Sequence, residues 1–298
     1  MTKPSGRGKG IDVRLAGSLL VTLAAAAAGA GYWVLAGVVL AALAAIGTAR
    51  LPALGDGVAD RCVGGFVRLA QVVVLAQAFG AYVVPADSAF AAAVFAVCVI
   101  AADFFGLRLP DLLVKWVLGV LLLAAAVLVA MCLAVAPVTN AGGIGKPDVS
   151  AIVVAALIML PFLIPEPGER STLRALGLGL VAVAITGAAL LQLGPIRLGL
   201  SGTAFRDLLY AADAGQLQPL LTVIVVVATV PAGFTTFVGA RQRFAPPSYQ
   251  TVVFGGELLA GVAAMFVPVS AVLIAGGLGA VAELVLRVRA RRYRGAHD

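Results

Sequence analysis

Charge is scarce in this sequence. Only 12% of its 298 residues are Asp, Glu, Lys or Arg, about half the share of an ordinary soluble domain. So few polar groups cannot cover a water-exposed surface, which excludes a soluble globular domain. Histidine is scarcer still: the single one, His297, is the next-to-last residue. Histidine general bases, histidine metal sites and haem ligation are therefore absent from the apolar part of the chain. The three cysteines, Cys62, Cys98 and Cys132, are odd in number and widely spaced. They form neither a disulfide framework nor a zinc site. Cys98 and Cys132 fall in apolar runs and read as packing residues. The sequence carries no P-loop, no dinucleotide-binding glycine motif and no HExxH pair. The nucleophile–base pairs and metal clusters of membrane enzymes are missing too, so the chain is expected to have no catalytic activity, metal or cofactor.

What the sequence has is long hydrophobic runs. Hydrophobic residues make up 62% of it, and the mean hydropathy is +1.08. Disorder is excluded by that composition, and an all-α polytopic membrane protein is expected. A helical crossing of the ~30 Å hydrocarbon core takes roughly 20 apolar residues. The uncharged run Leu15–Ala49 is too long for one crossing, since it would measure about 52 Å at 1.5 Å per residue. Gly29-Ala30-Gly31 supplies a break, because glycine frees the backbone to turn. The expected spans are Leu15–Ala28, Tyr32–Ala49, Phe66–Val84, Ala89–Ala102, Leu112–Ala136, Ala151–Ile164, Ala175–Gly194, Pro219–Ala240, Thr251–Val267 and Val269–Leu286, ten in all.

Loop charge tests this count. Ten spans with a cytoplasmic N-terminus put both termini inside. Eighteen of the 21 Lys and Arg residues then lie on the cytoplasmic side; only Lys146, Arg197 and Arg206 lie outside. That asymmetry is the positive-inside signature of a multi-pass protein of the cell membrane. The net charge of +7 thus reports topology and contact with the lipid bilayer, not nucleic acid. The C-terminal run Arg287, Arg289, Arg291, Arg292, Arg294 also suits anionic lipid heads. A basic start followed by an apolar run and Ala24–Ala30 equally resembles a secretory signal peptide, whose removal would leave nine spans.

Ten spans divide five and five about the glycine-rich outside loop Pro137–Ser150. The expected layout is a basic tail at 1–14, one transmembrane domain at 15–286, and a basic tail at 287–298. The first repeat covers 15–136 and the second 151–286. An odd number of spans per half inverts the halves, as in many secondary transporters. The first span of each half, Leu15–Ala28 and Ala151–Ile164, is short, and Pro161 and Pro165 punctuate the second. Paired short helices of this kind point to a midplane binding site.

Several stretches, in the right order over most of the chain, then resemble one family. Gly31-Tyr-Trp-Val-Leu-Ala-Gly37 through Ala49-Arg-Leu-Pro52 is similar to its second helix and following loop, and Phe79-Gly-Ala-Tyr-Val-Val-Pro85 to the end of its third. Phe105-Gly-Leu-Arg-Leu109, with Asp103, resembles the turn before the fifth. Pro167-Gly-Glu-Arg-Ser-Thr-Leu-Arg-Ala175 resembles the acidic loop before the seventh. Phe205-Arg-Asp-Leu-Leu through Ala240-Arg241 resembles the amphipathic outside helix and the eighth span. The family is the amino acid–polyamine–organocation superfamily, especially the amino acid permeases of GC-rich actinobacteria. The resemblance implies a small amino acid or amine as substrate, alternating access about the first and sixth helices, and protons as the driving ion.

The sequence also departs from that family. Its first helix normally carries a Gly-x-Gly break, but Leu15–Ala28 has no internal glycine pair. Gly29-Ala-Gly31 matches in letters and falls where the second helix begins. Lys115 lies too near the cytoplasmic end to be the mid-helix lysine of some relatives. Full members often have twelve helices. On the resemblance, the candidate substrate-binding residues are Gly29, Gly31, Met159 and Pro161. The candidate coupling or gating residues are Glu257, an ionisable residue inside the ninth span, and Thr229, one of several eighth-span threonines. Each has a structural alternative. Glu257 would snorkel to the cytoplasmic interface or pair with Arg241 or Arg243, and Thr229 would bond back to its own helix. Glu283 and Arg287 have the favoured order for an i,i+4 ion pair. Gln71 and Gln77 either line a cavity or link helices. Thr203–Ala212 is expected to form an interfacial helix on the outer face. The functional expectation is an amino acid or amine permease, or else a transport-inactive permease fold serving as a scaffold for an unidentified protein partner.

Overall fold

A computed structural model describes residues 12–55, 57–107, 109–136, 145–165, 171–244 and 250–294. Among these residues the chain is all-helical, without a strand. The helices are α1 (Asp12–Ala30), α2 (Val34–Thr48), α3 (Val58–Val83), α4 (Ser88–Phe104), α5 (Asp111–Ala134), α6 (Val149–Leu163), α7 (Ser171–Leu200), α8 (Ala204–Ala211), α9 (Gln218–Arg243), α10 (Gln250–Phe266) and α11 (Val269–Arg294). Seven helical runs are long and apolar enough to cross a membrane, as expected of a membrane-embedded multi-pass protein. They are Arg14–Thr48, Val58–Val83, Pro85–Phe104, Leu112–Ala134, Ser171–Leu200, Gly215–Arg243 and Val269–Arg292.

The difference from ten has identifiable causes. α1 and α2 form one helical run, joined by the 3₁₀ turn Gly31–Trp33. α6 and α10, of 15 and 17 residues, are shorter than a full crossing. The α1–α2 break falls at Gly31, two residues beyond Gly29. Its φ of +57° lies in the left-handed region that glycine tolerates without a Cβ clash. The chain reverses there. A Cβ on Gly199, at the C-terminal end of α7, would meet Ala28, and one on Gly31 would meet Pro195. Farther along α2, Ala42 lies against Gly179, and the Ala49 carbonyl accepts a hydrogen bond from Ser171 at 2.9 Å. α1 and α2 thus run along α7 in opposite directions. The expected match in length between the first spans of the two halves is not kept, since α1 has 19 residues and α6 has 15.

The two halves interleave. α1 packs on α6 and α7, and α2 packs on the same two helices. α3 packs on α9 and α10, and so does α4. The α3–α9 pair forms the centre, running antiparallel: Gly65 lies against Phe244 and Arg68 against Gly239. α11 crosses α3 where Gly276 meets Ala70 and Gly279 meets Val67. Small residues let these backbones approach closely, which is how helices pack where lipid removes the hydrophobic drive. α5 is peripheral, with only 11% of its apolar window buried.

Candidate functional site

α6 is the interrupted element. Asp148 caps its first turn: the carboxylate Oδ1 accepts from the Ser150 amide at 2.9 Å, the Ser150 hydroxyl at 2.6 Å and the Ala151 amide at 3.5 Å. These donors hold its carboxyl below the usual aspartate range. Fifteen residues give the helix about 22 Å of length, short of the ~30 Å hydrocarbon core. Two prolines end it. Pro161 has no amide hydrogen for the Leu157 carbonyl, and Pro165 has none for the Pro161 carbonyl.

Neighbouring helices cover both exposed carbonyls. Gln71 of α3 donates its Nε2 to the Pro161 oxygen at 2.5 Å. Gly277 of α11 packs on Leu157 so closely that a Cβ there would lie 2.4 Å from the Leu157 oxygen. Gln71 stands half-way along α3, so α6 stops half-way through the bundle. The glutamine is 3% exposed, and its Oε1 is buried without a hydrogen-bond partner. Its linking role is one of the two expected for it. Gln77 likewise links helices, donating to the Val267 carbonyl of α10 at 2.7 Å.

α1 carries a buried cation. Gly17 of α1 fits between Leu75 of α3 and the Ala228–Thr229 backbone of α9. Arg14 lies one turn before Gly17 and is 6% exposed. The expected tail boundary at residue 14 falls inside α1, which begins at Asp12. Ionisable groups so buried are costly and tend to be functional. Position alone could not reveal this, because Arg14 follows the basic residues of a tail.

Between this layer and α8 the bundle is closed. Tyr82, fully buried at the end of α3, donates its hydroxyl to the Leu20 carbonyl at 3.1 Å. The same hydroxyl accepts from the Phe205 amide at 3.1 Å, and Arg206 donates to the Tyr82 carbonyl. Amphipathic α8 buries Ala204, Phe205, Leu208 and Leu209. The helix occupies the expected position, but its apolar face meets α1, α7 and α9 rather than lipid.

The four expected substrate-binding residues do not come together. Met159 and Pro161 are buried in α6. Gly29 and Gly31 line a separate cleft of about 600 Å³ at the α1–α2 turn. Its wall includes Trp33, whose indole donates to the Gly145 carbonyl at 2.9 Å, and the Gly194–Pro195 kink of α7. Thr229 bonds back to the Val225 carbonyl at 2.7 Å, the structural alternative for it. The Glu257 side chain lies outside the described residues, as do residues 166–170 of the acidic loop and 137–144 of the outside loop. Arg241, one of the partners considered for Glu257, pairs with Asp103 of α4. Glu283 and Arg287 form the expected ion pair, and both are buried. No group of three potential metal ligands occurs among the described residues.

No protein-family model matches the chain, and no curated protein matches it.

Proposed function

We propose that the protein is a permease-like secondary transporter for a small amino acid or amine. In this reading it spans the cell membrane ten times as two inverted five-helix repeats, with both termini cytoplasmic. Four of the five expected counterpart pairs pack together, α1 with α6, α2 with α7, α3 with α9 and α4 with α10, which supports the repeat; α5 and α11 form no such packed pair. The observation that carries the functional reading is the end of α6. It stops half-way along α3, at two prolines, with Gln71 at the same depth. Interrupted helices that end near the midplane are where such carriers hold substrate. The negative end of the α6 dipole favours an ammonium group there. The closed outer side corresponds to a state that exchanges substrate with the cytoplasm. Protons are the proposed driving ion, with Glu257 the residue that couples them.

Purified protein in liposomes, given a panel of amino acids and amines under an imposed pH gradient, tests this reading. Uptake of at least one compound is expected. Gln71→Leu is expected to lower uptake at least tenfold, while lost and gained terms leave stability within about 1 kcal/mol. Unchanged uptake in Gln71→Leu would remove the α6 end from the site. Glu257→Gln with unaltered pH-dependent uptake would remove the coupling role.

A second reading is favoured by a specific observation. α1 is one unbroken helix, packed by Leu15, Leu19, Leu20, Leu23, Ala26 and Ala27. Gly17 lets it close directly on the α9 backbone. A transport-inactive permease fold, kept as a membrane scaffold for a protein partner, would need no more than this. Uptake of any compound in the panel rules that reading out.

A further inference from the structure

We infer that a crevice between α1, α5 and α7 seats one acyl chain of an anionic phospholipid, with its headgroup at Arg174. The crevice holds about 230 Å³. It is long and narrow. On α7 its lining runs from Arg174 to Ile185, eleven residues or about 16 Å of helix. Leu15 and Leu19 of α1 form the floor, and Leu118 to Ala125 of α5 form the opposite wall. Every lining residue except Arg174 is apolar or glycine.

Three observations select the occupant. First, the crevice opens sideways, where lipid is. Its rim residues Leu122 and Gly177 are exposed, and so are their neighbours Leu176 and Leu180. Second, its only charge stands at one end. Arg174 is in the first turns of α7, and Lys115 lies one turn before Leu118 on α5. A basic end on an apolar slot matches a phosphate on an acyl chain and has nothing to offer a neutral sterol or a peptide. Third, that end is on the side of the bundle where basic residues concentrate, which is the side that faces anionic lipid. The lipid would brace α5, the least buried of the crossing-length helices, against α1 and α7. The inference does not depend on transport.

The test uses the whole chain in a neutral detergent. Bound lipid is counted by native mass spectrometry, and stability is read as Tm. Phosphatidylglycerol and phosphatidylcholine of identical acyl chains are the main probes, and laurate is the third. Phosphatidylglycerol is expected to be retained and to raise Tm, and phosphatidylcholine to do neither. Arg174→Gln is expected to weaken phosphatidylglycerol about fivefold, the worth of one basic residue near an anionic surface. Gly177→Leu fills the rim; nothing lies within 4 Å of a Cβ placed there, so the variant folds, and it is expected to lose the lipid. Equal retention of the two phospholipids overturns the headgroup assignment. Undiminished phosphatidylglycerol in Gly177→Leu overturns the location. Displacement of phosphatidylglycerol by equimolar laurate overturns the choice of a phospholipid over a free fatty acid.

Discussion

In the proposed orientation, the outer and inner halves of the helix bundle are built on different chemistry. Toward the outer side, α3 meets α1 and α8 through the two hydrogen bonds of the Tyr82 hydroxyl, and α7 meets α1 through Gly199 on the Ala27–Ala28 backbone. Those contacts are neutral and close. Toward the inner side the same bundle buries Arg14, pairs Asp103 with Arg241, and pairs Glu283 with Arg287. It also leaves the Gln71 Oε1 and the Arg287 Nε without a hydrogen-bond partner. Polar groups left partly satisfied in a low-dielectric interior are costly, and the outer half holds some too, at the Thr22 Oγ1, the Gln77 Oε1 and the Gln192 Oε1, so the halves differ in their buried ion pairs and not in strain.

The largest effect is expected from breaking the inner half. Glu283→Gln leaves the buried Arg287 without its carboxylate and should destabilise the protein by about 3 kcal/mol. The double change Glu283→Leu with Arg287→Met should recover most of that, because an apolar pair replaces a buried ion pair at little cost. Chemical denaturation in detergent micelles measures both. If the double variant is as unstable as the single one, the ion pair is not the source of the effect.

The next test strikes the outer half. A side chain at Gly199 starts 2.6 Å from the Ala28 Cα, and backbone cannot yield as a flexible side chain does. Gly199→Leu should therefore cost about 2–3 kcal/mol by overpacking. Tyr82→Phe is milder. It removes one donated and one accepted hydrogen bond and leaves the ring in place, for about 1–2 kcal/mol. Hydrogen exchange should localise that loss to α8 and the adjoining end of α3. Protection lost evenly over the bundle would argue against the two-half contrast.

The sequence made the outline legible and the interior much less so. Glycine and proline positions, with the run lengths between charges, located the long helices, because span length is fixed by bilayer thickness. The Glu283–Arg287 pair was readable because it is local, four residues apart on one helix. Amphipathic α8 was readable from its own periodicity, but not its docking face. Contacts between distant helices were not readable. Asp103 is 138 residues from Arg241, and Gln71 is 90 residues from Pro161. Arg14 was hidden for another reason. A basic residue at the start of an apolar run satisfies the charge rule whether it faces the cytoplasm or the interior.

The smallest expected effect distinguishes the two ends of α6 itself. The inner end is stopped by prolines and covered by Gln71, neither of which titrates. The outer end depends on Asp148, whose ionised carboxylate accepts from Ser150 and Ala151. Those donors favour the charged form, so the folded pKa lies below the unfolded value, which is about 3.9 for aspartate. A depressed folded pKa means that its contribution is fully present above the unfolded value and is lost as pH falls through the folded one. Stability of the first turn of α6 should therefore be flat from neutral pH down to about pH 4 and decline below it. Asp148→Asn keeps a capping oxygen and removes the titration, so its low-pH decline should be shallower than that of the wild type. Amide exchange at Ser150 and Ala151, followed from pH 6 to pH 3, reads this directly. Parallel declines in the two proteins would show that the acid sensitivity of α6 arises elsewhere than at its cap.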